Sequence, residues 1–131
     1  MVSPEWTPRI LSLLRIITGL LFLEHGMIKL IGFPAPMPGM DHLPPLLLAA
    51  GIIELVGGIL ITLGLFTRIA AFIASGEMAV AYFMAHMSQG FWPALNQGEA
   101  AILFCFVFFY FAFAGPGEWS VDAMRRGPSR T

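Results

Sequence analysis

Four long apolar stretches dominate this chain, at Ile10–Ile31, Pro45–Leu65, Ile69–Met87 and Asn96–Ala114. A bilayer core ~30 Å thick is crossed by about 20 helical residues rising ~1.5 Å each, so every stretch is of roughly spanning length. Inside hydrocarbon a backbone must satisfy its own hydrogen bonds, which an α-helix does within one segment. Composition agrees, with 57% of the 131 residues hydrophobic and 11% charged, against about 25% charged in soluble domains. The chain therefore reads as a single all-α transmembrane domain over residues 1–131, with the lipid bilayer as its surroundings. Little length remains for a soluble catalytic domain. A net charge of −1 lacks the basic surface that nucleic acid requires, so no nucleic-acid partner is expected. The single cysteine, Cys105, can form neither an internal disulfide nor a C-x-x-C redox pair.

The first apolar run is longer than the ~7–15 residues of a signal-peptide core, and it carries Glu24, His25 and Lys29. It reads as a retained first span. Between spans one and two, the segment from Gly32 to Gly39 contains three prolines, which remove amide donors and disfavour helical geometry. Gly64 to Arg68 forms a tight turn with Thr67 as the expected N-cap of the third helix. Ser88 to Pro93 separates the third helix from the fourth, and Gly115-Pro116-Gly117 ends the fourth. Arg9, Arg68, Arg125, Arg126 and Arg130 flank one set of span ends, while the first and third loops hold no lysine or arginine. The positive-inside rule then places both termini and the second loop in the cytoplasm. The expectation is a multi-pass protein of the bacterial inner membrane, folded as an up-down-up-down four-helix bundle. Gly19, Gly26, Gly57 and Gly58 supply the small residues that let membrane helices approach closely.

Each span carries a glutamate: Glu24, Glu54, Glu77 and Glu99. An ionisable group at bilayer depth costs at least ~2.5–3.5 kcal/mol on insertion scales, so such residues face partners, cavities or ligands. Glu54 and Glu77 lie near the middles of their spans. Glu24, His25 and Lys29 come after the midpoint of the first, His86 ends the third, and Asn96 and Glu99 begin the fourth. With the orientation above, all lie at mid-membrane or towards the periplasmic side, and Arg15 alone belongs to the cytoplasmic half. The polar interior should open outward, beneath the proline-rich first loop and the Phe91-Trp92 loop. His25 with Lys29, and Tyr82 with His86, are spaced i, i+4 and share a helix face. Glu77 and His86, nine apart, fall on opposite faces of an ideal helix.

Four chemistries are compatible with this set. The polar groups can form an interhelical network that only fixes the bundle, although such bonds average ~0.6 kcal/mol each. They can bind a quinone or similar redox ligand, with histidine and glutamate exchanging protons. They can line a transport or proton-relay path. A carboxylate-bridged metal site is the fourth, but it would place Glu-x-x-His on two helices, and that spacing is absent, so no metal is expected. The aromatic run Phe104 to Phe111 surrounds span four and could lie against a flat ring.

The ordered motifs resemble those of the DoxX family. The first-helix signature runs from Gly19 through Glu24-His25-Gly26 to Lys29 and Gly32-Phe33. Glu54-Leu55-Val56-Gly57-Gly58 with Gly64-Leu65-Phe66-Thr67-Arg68 resembles its second helix and turn. Ser75-Gly76-Glu77 to Phe83, His86, Gly90-Phe91-Trp92-Pro93, Asn96, Gly98 and Glu99 resemble the third helix and outer loop, and Gly115 to Asp122 resembles its ending. The likeness covers Arg15 to Asp122. It implies a small four-helix protein of the bacterial inner membrane. The family takes its name from a subunit associated with a thiosulfate:quinone oxidoreductase, and some relatives are linked to complexes with soluble redox enzymes. A soluble redox enzyme or another membrane subunit is thus the implied partner, and quinone the implied ligand. Thiol-linked relatives with paired cysteines lend nothing to a chain with Cys105 alone. The candidate proton-exchanging residues are Glu24, His25, Glu77, His86 and Glu99. Lys29, Glu54, Tyr82, Trp92 and Asn96 are candidate ligand-binding residues.

Overall fold

The computed structural model describes residues 3–39 and 42–127, so Arg130, counted above among the flanking charges, lies outside the described residues. All regular structure among them is helical. Helix α1 is Trp6–Ile31, α2 is Pro45–Leu63 and α3 is Thr67–Ala81. The last continues through a wide turn at Tyr82–His86 and a tight one at Met87–Gln89. A short α4, Pro93–Asn96, precedes α5, Glu99–Ala114, and α6, Val121–Arg126. Helices α1, α2 and the continuous Thr67–Gln89 segment are each long and apolar enough to cross a membrane.

The helix ends differ from the sequence expectation, and three of the differences have a cause in backbone conformation and hydrogen bonding. The second span stops at Leu63 rather than Leu65 because Gly64 takes the left-handed conformation, φ 70°, and its amide turns back to Ile61 and Leu60. Thr67 is not the N-cap of α3. The capping position belongs to Phe66, itself at φ 50°, and the cap comes from a distant residue: Asp122 accepts from the Phe66 and Thr67 amides, each at 2.9 Å. The fourth apolar stretch does not start at Asn96. Gln97 at φ 62° ends α4, and α5 restarts at Glu99 with 16 residues.

Helices α1 and α2 form a closely packed antiparallel pair. A Cβ built on Gly26 would meet the Leu55 amide at 2.5 Å, and one on Gly58 would meet Leu23 Cα at 2.6 Å. The glycines are what let the two backbones touch. Helices α3 and α5 form the second antiparallel pair, where the Ser75 hydroxyl donates to the Cys105 carbonyl at 2.7 Å. The pairs share a core of Phe22, Ile61, Ala71, Ala74, Phe108 and Phe111, with the Phe22 and Phe108 rings edge-on at 4.7 Å. Large apolar side chains such as Ile17, Ile69, Phe72 and Phe106 face outward, as a lipid-facing surface requires.

One end of the molecule is tightly knit. Arg15 is 1% exposed, yet no carboxylate pairs with it among the described residues. Its guanidinium donates to Ile61 O at 2.9 Å, to Thr62 O at 3.4 Å, to Trp119 O at 2.8 Å and to Pro116 O. The first two are carbonyls of the last turn of α2, where C=O groups run short of intrahelical donors, although Ile61 O also accepts from the Gly64 amide at 3.1 Å. Ser12 joins the same set by accepting from the Trp119 amide at 2.9 Å. Arg68 donates to the Ala112 and Phe113 carbonyls at the end of α5. Partial burial works to raise the Asp122 carboxyl, but hydrogen bonds from Thr67 and Phe66 and the charge of Arg125 hold it below the usual aspartate range.

Two outcomes follow for thermal unfolding of the purified protein in detergent. Gly58→Ala should destabilise by about 1–3 kcal/mol, since the new methyl meets backbone. Gly57→Ala next to it should be neutral or slightly stabilising, because its Cβ finds only the Phe22 ring at 3.5 Å. The folded-state value of Asp122 is depressed, so its contribution is present above the unfolded value and is lost as pH falls through the folded one. Asp122→Ala should therefore cost about 1 kcal/mol at neutral pH, as a lost helix cap does. The gap to the parent should close in acid.

Candidate functional site

At the other end the helices part around a cavity of about 310 Å³. Its polar groups come from separate elements: His25 and Lys29 from α1, Glu54 from α2, Glu77 from α3 and His86 from the wide turn. The rest of its lining is largely apolar and includes Phe22, Met78 and Phe104. The combination of an apolar shell with a few convergent polar groups is the usual constitution of a small-molecule pocket, and the volume sits at the lower end of the ~300–1,000 Å³ range.

The centre of the site is an ion pair. Lys29 Nζ donates to Glu54 Oε2 at 2.7 Å, with side chains 15% and 3% exposed. Gly26, one turn before Lys29, brings α1 against α2 at this level, so the charges meet without either side chain having to stretch. The Glu77 carboxyl adjoins that of Glu54. Its Oε2 is buried with no hydrogen-bond partner among the described residues. A buried polar atom without a partner costs about 1–3 kcal/mol. Glu77 therefore offers an unused hydrogen-bonding atom at the cavity.

His86 reaches the same cavity as Glu77, against the expectation that nine residues separate them onto opposite faces. The wide turn is the reason. From Tyr82 to His86 the hydrogen bonding is i→i+5, with the Met87 amide donating to Tyr82 O, and each residue rotates the chain less than in an α-helix. The accumulated lag swings His86 back towards the Glu77 side. Its Nδ1 lies 3.1 Å from the Asn96 carbonyl oxygen, and its ring stacks near Tyr82 at 6.3 Å.

The other candidates are distributed around this centre. Asn96 is 1% exposed. It donates to Gly90 O at 2.9 Å and Tyr82 Oη at 3.3 Å, and accepts from the Gly98 amide at 2.8 Å. With all its groups used, it braces the loop over His86 and Tyr82. Glu24 and Glu99 are exposed and lie outside the cavity lining, and Trp92 is exposed with its ring edge-on to Phe91 at 5.2 Å. Sequence reasoning missed Met37 and Gln97, which both line the cavity. Met37 belongs to the proline-rich loop and carried no signal. Gln97 lay within a polar cluster with Asn96 and Glu99, which was a signal passed over.

A family model described as DoxX matches residues 10–87. This chain belongs to the DoxX family. The matched region includes His25, Lys29, Glu54, Glu77 and His86, whereas α5 lies beyond it. An uncharacterized protein of Haemophilus influenzae is 46% identical over 123 residues, covering 90% of this chain and 92% of its own length. An uncharacterized membrane protein of Mycobacterium tuberculosis is 28% identical over 145 residues, with coverages of 92% and 88%. No solved structure matches the chain. The family, the membrane-protein relative and the apolar helices together make this DoxX protein an integral membrane protein.

The ion pair gives a direct test. Lys29→Met strands the Glu54 charge in a nearly dry site and should cost about 3–5 kcal/mol. The double variant Lys29→Met/Glu54→Leu removes both charges and should recover most of that loss. Equilibrium unfolding of the four-member mutant cycle reads both values, and additive losses would contradict the pairing.

Proposed function

We propose that this DoxX protein is a redox-associated component of the bacterial inner membrane that binds a quinone-like ligand in the 310 Å³ cavity. In this reading α4 and α5 together complete a fourth span, since 16 helical residues alone reach about 24 Å at ~1.5 Å each. Both termini and Arg68 face the cytoplasm by the positive-inside rule, and the cavity, with Met37 and Gln97 on its lining, opens on the periplasmic side.

The observation that carries the reading is the meeting of aromatic walls and proton-exchanging groups in one cavity. His25 stands edge-on to Phe104 at 6.0 Å, and Phe104 stacks on Phe108 at 5.6 Å. A flat ring finds apolar contact there. Quinone reduction to quinol takes up electrons and an equal number of protons, so it needs acid and base groups beside the ring oxygens. Glu77, with its unpartnered oxygen, and His86 and His25 are the groups to exchange those protons. The Lys29–Glu54 pair holds a fixed cation beside them. The electrons come from a partner subunit or soluble redox enzyme, since this chain carries no haem, flavin or iron–sulfur motif.

A permease fits less well. Phe22, Ile61, Phe108 and Phe111 are fully buried and form, among the described residues, an apolar layer between the cavity and the Arg15 end, which disfavours a polar route across. A non-enzymatic scaffold for a membrane complex remains the competing assignment, and it makes the cavity incidental.

Extraction of the purified protein followed by mass spectrometry should find co-purified quinone. Glu77→Gln and His86→Ala should each weaken binding of a short-chain quinone about tenfold, the effect of losing one hydrogen bond near ~1.4 kcal/mol. A protein that holds no quinone and whose melting midpoint ignores added quinone would overturn the assignment. Intact complex assembly by both variants would then favour the scaffold.

A further inference from the structure

A second hollow lies at the knitted end, remote from the cavity. It measures about 480 Å³ and is bounded by Phe66, Arg68 and Ile69 of the α2–α3 corner and by Asp122, Arg125 and Arg126 of α6. Three guanidinium groups thus border one carboxylate, for a local charge of +2 (three arginines less Asp122). That carboxylate is already engaged, since its two oxygens accept from the Phe66 and Thr67 amides at 2.9 Å each. The start of α3 is therefore capped and offers no anion site of its own. Arg68 has spent part of its donor set on the Ala112 and Phe113 carbonyls. Arg125 lies over the Phe66 ring at 5.1 Å. Neither Arg125 nor Arg126 has a hydrogen-bond or ion-pair partner among the described residues.

We propose that this hollow binds the phosphate headgroup of an anionic glycerophospholipid, with Arg125 and Arg126 as its principal ligands and Arg68 at its edge. Guanidinium groups present paired donors that match phosphate oxygens, and a hollow with a surplus of two cations selects an anion. The neighbouring surface decides between a lipid and a free phosphate. Ile69, Phe72 and Phe113 are 67%, 62% and 69% exposed. Ile69 lines the hollow, Phe72 follows it one turn along α3, and the Phe113 carbonyl accepts from Arg68, so these exposed side chains offer an apolar strip beside it. A headgroup seated among the arginines lays its acyl chains on that strip, whereas inorganic phosphate would leave it unused. The hollow is thus placed where lipid headgroups meet hydrocarbon, on the arginine-rich end. Basic pockets at that level are suited to anionic lipids, each nearby cation contributing about 1 kcal/mol. The bound lipid would also bridge α6 to α3, reinforcing the contact that Asp122 makes with the Phe66 and Thr67 amides.

The test uses the delipidated full-length protein in detergent, titrated with phosphatidylglycerol or phosphatidylcholine in mixed micelles and read by native mass spectrometry. Phosphatidylglycerol should bind at least about tenfold more tightly than phosphatidylcholine. Arg125→Gln/Arg126→Gln should abolish that preference, and Arg126→Gln alone should reduce it in part. Arg9→Gln is the control, because Arg9 lies at the same end but is half-buried and already paired with Glu118 at 3.2 Å. It should leave the preference intact. Equal binding of the two lipids would overturn the proposal. So would an equal loss in Arg9→Gln, which would mean diffuse surface charge. Displacement of phosphatidylglycerol by inorganic phosphate at comparable concentration would overturn the lipid assignment in favour of a free-phosphate site.

Discussion

Arg15 is the interaction on which the rest of the arrangement depends. A buried guanidinium without a carboxylate is unusual, because burying a charge demands compensation. Here the compensation is a ring of backbone carbonyls from the end of α2 and from the loop after α5. Those carbonyls need donors as much as the arginine needs acceptors, since a helix end leaves its last C=O groups unpaired. One side chain thus resolves the termini of two elements distant in sequence and fixes them to α1. Ser12, Arg68 and Asp122 extend the same logic, each satisfying backbone at a corner. The backbone corners of that end are so closed, and the donors left over among the described residues include those of Arg125 and Arg126.

The opposite end is organised by the reverse principle. There the side chains outnumber the partners available: Lys29 neutralises Glu54, and Glu77 keeps an oxygen unmatched. A protein interior tolerates an unmatched buried atom rarely, and functional sites are where such exceptions gather. Between the ends lie Phe22, Phe108 and Phe111, all fully buried, and each end keeps one buried side-chain oxygen without a partner among the described residues, Thr67 Oγ1 at the knitted end and Glu77 Oε2 at the cavity. The division of labour is structural stability at one end and chemistry at the other.

Much of this was legible in the residues. The three helices long and apolar enough to cross a membrane were marked by apolar runs and glycine–proline breaks. Lys29, Glu54 and Glu77 share a depth within those runs, while His86 joins them through the wide turn, against the ideal-helix expectation. What could not be read was whatever depends on distant contacts or on departures from ideal geometry. Thr67 looked like an N-cap because threonine commonly is one, but Asp122, 55 residues away, occupies that role. Glu24 and Glu99 shared the composition of the site residues, yet both face outward. Depth in a span is a matter of counting, whereas facing depends on how neighbours pack. Asn96 looked like a ligand group and proves to have its bonds filled by Gly90, Tyr82 and Gly98.

The wide turn at Tyr82–His86 makes the site depend on helix geometry as well as on side-chain identity. Such a turn holds one residue more than an α-helical turn would, so it acts as a stored insertion in the register of α3. If the same residues closed up into regular α-helix, every side chain beyond the turn would rotate together and His86 would leave the cavity. Deleting Phe83 or Met84 would instead let the helix become regular with His86 still on the Glu77 side. The turn geometry between Glu77 and His86 is thus a dimension of the site in its own right. A chain of this kind can lose its pocket by the tightening of one turn, with every pocket residue still in the sequence.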